Sequence, residues 1–72
     1  MIEKLTVNDA RNEIALIKKY KGDEGQAHGL EDSLRDWFIE CCAIGMYDQM
    51  ELIIVAQIVL SSNEIEFTRY TE

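Results

Sequence analysis

The sequence predicts an all-α protein, a small three-helix bundle with an extended C-terminal tail packed against it, in a single domain spanning residues 1–72. Three observations carry that expectation. Apolar residues recur at spacings of three and four along two stretches, which is the signature of an amphipathic helix. Capping side chains and glycines mark where helices begin and end. No second long strand exists to pair with the one segment whose β-branched content would suit a sheet.

Helix one is expected over residues 8–21. Thr6 can cap it, Asp9 sits in its first turn, and Ala10, Ile14, Ile17 and Tyr20 form its apolar face. Asp9 and Glu13 lie early and Lys18, Lys19 and Lys21 late, the order the helix dipole favours, before Gly22 ends the run. Gly22 to Gly25 then reads as a turn. Helix two is expected over residues 26–43, with Leu30, Leu34, Trp37, Phe38 and Cys41 on its apolar face and Gly45 as its stop.

Asp48, with Glu51 three residues on, starts a third helix running through Met50 to Leu60. This segment is apolar nearly all the way round, and its length and start signal favour a helix over a buried strand. In the tail, Ser61 to Tyr70 alternates polar and apolar residues, so Ile65, Phe67 and Tyr70 are expected to pack back on the helices.

With 47% apolar and 29% charged residues, the chain is too apolar for intrinsic disorder and too charged for a membrane protein. Its longest unbroken apolar run, Leu52 to Ala56, is far below the roughly 20 residues of a membrane span, and Met1 to Glu3 does not open a signal peptide. The expectation is a cytoplasmic protein with no membrane partner. Adjacent Cys41 and Cys42 cannot build a disulfide framework, which fits reduced thiols in a reducing compartment. There is no Gly-rich phosphate loop, paired-cysteine ligand spacing or nucleophile motif, and so small a bundle leaves little room for a pocket. The reading is therefore non-enzymatic, with no cofactor.

Fourteen acidic against seven basic residues leave a formal charge of -7, and its distribution is uneven. Residues 1–21 carry a net +2, residues 22–51 a net -7 and residues 52–72 a net -2. On helix two, Glu31 and Arg35 can pair at i,i+4, whereas Asp32, Asp36 and Glu40 follow one another at i,i+4,i+8 with no cation between them. Such a stripe either simply faces water or docks a basic partner, and nucleic acid itself is a poor partner for it.

His28, Glu31 and Asp32 fall at i,i+3,i+4 near the start of helix two, with Asp23 and Glu24 just upstream. Imidazole and carboxylates are metal-ligand types, but a single histidine favours a simpler reading. In that reading the carboxylates favour the positive helix terminus, while His28 caps or pairs with them. Cys41 is expected as a small buried hydrophobe with Cys42 at its flank. Trp37 belongs either to the core or to an interface anchored beside Asp36.

Helix three is either the centre of the bundle or a dimer seam. Because a chain this short buries only about 60% of its unfolded surface, homodimer formation through helix three or the tail's edge is the expectation.

Gly22-Asp23, Ala27-His28 with Glu31-Asp32 and Leu34, Ile44-Gly45, Val59-Leu60, and Ile65-Glu66-Phe67 with Arg69-Tyr70 together resemble a family of short uncharacterised proteins of bacteriophages and prophages. The likeness covers about two thirds of the chain, and members often carry tryptophan in place of Tyr70 and alanine-rich turns in place of Cys41 and Cys42. It implies a helical fold and a phage or prophage source, and it transfers no catalytic residue. By analogy of size and charge with anti-CRISPR inhibitors, the expected function is to bind and inhibit a basic host nucleic-acid-handling or defence protein. Glu31, Asp32, Asp36, Trp37 and Glu40 are the expected contact residues. The alternative is an oligomeric metal- or ligand-binding protein using His28, Glu31 and Asp32.

Overall fold

A computed structural model describes residues 2–66. It is an all-α three-helix bundle in the order α1 (Val7–Lys19), α2 (Glu24–Ala43) and α3 (Gln49–Leu60), followed by a 3-10 turn at Ser61–Glu64. No helix among the described residues is long and apolar enough to cross a membrane.

The helix boundaries follow from side chains that satisfy otherwise orphaned backbone groups. Thr6 and Asp9 form a reciprocal capping box: the Asp9 N–H donates to Thr6 Oγ1 at 3.1 Å, and the Thr6 N–H donates to Asp9 Oδ2 at 3.2 Å. At its other end α1 stops two residues short of the expected position. There the Tyr20 carbonyl accepts instead from the Asp23 N–H at 2.8 Å, which closes the turn into α2.

Helix α2 in turn starts two residues early, because Asp23 acts as its cap and accepts from the Gln26 N–H at 3.2 Å. Gly25, expected in the turn, lies in the first helical turn. Gly45 ends α2 as expected, with φ of 71°. Its N–H donates to Cys42 O and that of Met46 to Cys41 O, the paired bonds of a Schellman ending. Asp48 caps α3 through the Glu51 N–H at 2.8 Å.

The core comprises Leu5, Ala10, Ile14, Ile17, Ala27, Leu34, Cys41, Val55, Val59 and Ile65. Leu30, Trp37 and Phe38 flank it, so the expected faces of the first two helices are the buried ones, apart from Tyr20, which ends α1 outside the core. Helix α1 packs more extensively on α2 and on α3 than those two pack on each other, so the centre of the bundle is α1. Helix α3 is not: only Val55 and Val59 are buried, while Met50, Ile53, Ile54 and Leu60 remain exposed. After Leu60 the tail first tightens into the 3-10 turn, and Ile65 then adopts extended backbone and packs into the core. Phe67 and Tyr70 lie outside the described residues.

An extended N-terminal segment, residues 2–6, is fastened across α2 and the loop after it. Leu5 is fully buried. Its N–H donates to Cys41 Sγ at 3.4 Å, and its carbonyl accepts from the Tyr47 hydroxyl at 2.7 Å. The Glu3 carbonyl accepts from Trp37 Nε1 at 2.7 Å and from Cys41 Sγ at 3.6 Å. Lys4 pairs with Glu51 of α3 and lies over the Tyr47 ring. Burial, reinforced by a hydrogen bond to Cys41, pushes the Tyr47 hydroxyl well above the ordinary phenol range. Replacing Tyr47 by Phe leaves the Leu5 carbonyl without its donor and should lower unfolding free energy by about 1–2 kcal/mol, measured by urea denaturation. An unchanged midpoint would show that this hydrogen bond contributes nothing net.

Candidate protein-interaction surface

Asp32, Asp36 and Glu40 are all exposed along the outward side of α2, away from the buried line of Ala27, Leu34 and Cys41. Asp32 is 3.2 Å from Nε2 of His28. Asp36 and Glu40 have no hydrogen bond or ion pair among the described residues. Both therefore face solvent beside like-charged residues one helical turn away. Glu40 also lies in the last turn of α2, which carries no basic residue and is the negative end of the helix dipole.

The helix's one arginine is turned to internal use. Arg35 donates through Nη2 to Asn63 Oδ1 at 2.6 Å and to Ser62 Oγ at 3.2 Å, and the same nitrogen is 3.6 Å from Glu31 Oε2. The guanidinium thereby fastens the 3-10 turn to α2 and faces a buried carboxylate.

Two of the expected contact residues do not belong to this surface. Glu31 is only 2% exposed, because its position on α2 turns inward between Ala27 and Leu34, so it cannot reach a partner across the acidic stripe. Trp37 is half-buried, and its indole N–H is committed to the Glu3 carbonyl, which makes it a fastening for the N-terminal segment. The inward turn of Glu31 also separates it from His28 and Asp32, the residues of the alternative metal reading. Among the described residues, no group of three or more histidine, cysteine, aspartate or glutamate side chains could hold a metal ion. His28 pairs with Asp32 instead, and its Nδ1 is buried with no hydrogen-bond partner among the described residues. Cys41 is buried and Cys42 exposed, both as free thiols.

Sequence reasoning missed the apolar surface beside the stripe. Ile39, three residues after Asp36 but off the Leu34/Phe38/Cys41 line, is 60% exposed. With Arg35, Phe38, Ala56, Val59 and Leu60 it lines an open groove of about 350 Å³ between α2 and α3. The signal was in the sequence: an isoleucine outside its helix's buried line has no core to enter.

Comparison with protein-family models, curated proteins and solved structures found no match to this chain. Arg35→Met should lower unfolding free energy by about 2 kcal/mol, because hydrogen bonds from a charged donor are lost beside a buried carboxylate. Chemical denaturation monitored by circular dichroism measures it, and a variant as stable as the parent would show that the Arg35 contacts are energetically idle.

Proposed function

We propose that this protein is a non-enzymatic interaction module whose outward α2 face binds a basic protein surface. The partner class is a nucleic-acid-handling or defence protein of a host cell, whose cationic groove the acidic stripe would occupy in place of phosphates. The observation that carries the reading is the pair Asp36 and Glu40, exposed and without a cation partner among the described residues, on a helix whose one arginine faces elsewhere. A solvated face needs charge but not a single-sign row along one helical edge, which costs a few tenths of a kcal/mol per like pair. The phage source and the inhibitory outcome come from the resemblance of the sequence and from analogy of size and charge.

Asp32→Lys with Asp36→Lys should abolish capture of the basic partner while leaving the helical circular-dichroism signal intact. Capture by the unaltered chain should itself weaken steeply between low and high salt. A folded double variant that still captures the same partner would overturn the proposal.

A second reading, pairing of copies through α3, is favoured by the exposure of Met50, Ile53 and Ile54, which share one uncharged side of that helix. Light scattering should then give twice the mass of one chain and Ile53→Glu the mass of one. A single-chain mass for the unaltered protein would remove this reading.

A further inference from the structure

We infer that the groove between α2 and α3 is the seat of a cationic amphipathic helix supplied by the partner; this rests on the reading of the α2 face above and deepens it. The groove has an apolar floor of Phe38, Ala56 and Val59. Ile39 and Leu60, 60% and 61% exposed on facing helices, form its two lips. Such a floor takes the apolar stripe of a helix, the helix-in-groove mode of recognition.

Charge decides what kind of helix. On the outward side of α2 next to Ile39 stand Asp36 and, one turn further back, Asp32, three and seven residues before it and about 6 Å apart at 1.5 Å per residue, whereas Glu40 turns away beside Ile2, Ala43 and Ile44. The α3 bank is neutral: the one ionisable residue of that helix is Glu51, which pairs with Lys4. Arg35 at the groove already has its guanidinium on Asn63, Ser62 and Glu31. A helix lying in the slot is therefore matched when one flank carries Lys or Arg at successive turns and the other is uncharged. A second copy is a poorer occupant. Its α2 would set acid against acid, and its neutral α3 would cover the floor while leaving Asp36 without a cation.

The probe is a synthetic amphipathic helix with a leucine stripe and lysine at every fourth position of one flank, beside a counterpart with glutamine for lysine. Calorimetry reads binding to the full chain, circular dichroism its folding and light scattering its mass. The lysine peptide should bind one to one, and the glutamine peptide about tenfold more weakly. The double variant Ile39→Ser/Leu60→Ser should weaken lysine-peptide binding by about tenfold, and Asp36→Asn should also weaken it. Both serine positions are largely exposed, so the fold should persist; if helical signal falls, the single Leu60→Ser variant carries the same comparison.

Failure of the lysine peptide to bind would overturn the inference. Full-strength binding to the serine variant, with weakening by Asp36→Asn, would overturn the groove while the acidic-face reading stands. Insensitivity to both Asp36→Asn and the loss of lysine charge would remove the acidic-face reading together with the groove. A dimer that excludes the peptide and dissociates in the serine variant would place a second copy in the slot and overturn the inference.

Discussion

Satisfying the backbone of residues 2–6 without a sheet is the constraint on which the rest of the structure depends. An extended segment with a fully buried Leu5 brings polar backbone groups into the interior, where each costs free energy unless it finds a partner. Here the partners are side chains. Cys41 accepts from the Leu5 N–H, and Trp37 and Tyr47 donate to the carbonyls of Glu3 and Leu5. These contacts come from α2 and from the loop between α2 and α3, and the Lys4–Glu51 pair adds α3 itself. One short segment thus ties together two helices that touch each other little, then runs through the Thr6 cap into the helix that fills the space between them.

That arrangement explains the surface as well as the core. Because α1 occupies the centre, α2 and α3 are each buried on the side facing it, and their outer edges stand apart as the lips of a groove. The same partition sorts the charges of α2. Arg35 and Glu31 point sideways and inward, where Arg35 holds the 3-10 turn and faces the Glu31 carboxylate, while Asp32, Asp36 and Glu40 point outward. A domain of 72 residues has little stability to spare, so a row of acids ending at the negative pole of a helix is a measurable burden on it.

The helices were legible in the sequence because their signals are local. Thr6, Asp48 and Gly45 act through neighbours three to five residues away, and the Ala10/Ile14/Ile17 face follows from helical geometry alone. Asp23 is the same kind of signal, masked by the glycines on either side of its helix start. What could not be read was set by tertiary packing. The inward turn of Glu31 depends on where α2 meets the bundle, since i,i+3 and i,i+4 spacing groups it with His28 and Asp32 without saying which side is buried. Trp37 was equally ambiguous until the Glu3 carbonyl, 34 positions away, came within reach. An all-apolar helix such as α3 has no polar face by which to orient it, so its exposed side emerged only from the packing of the other elements.

The juxtaposition of a charged edge with an apolar slot changes what the surface can discriminate. A row of carboxylates alone attracts any cationic protein, quickens encounter and fades with salt, so it confers little selectivity among basic partners. An apolar floor alone retains what enters it but does not distinguish among hydrophobic helices. In the proposed mode, Asp32 and Asp36 on α2 would set which flank of an incoming helix can lie against them, while Ile39 and Leu60 would set whether it has an apolar stripe to bury. Charge then governs the approach and burial the residence time. A partner must satisfy both at the spacing of a helix, a demand that neither feature makes by itself.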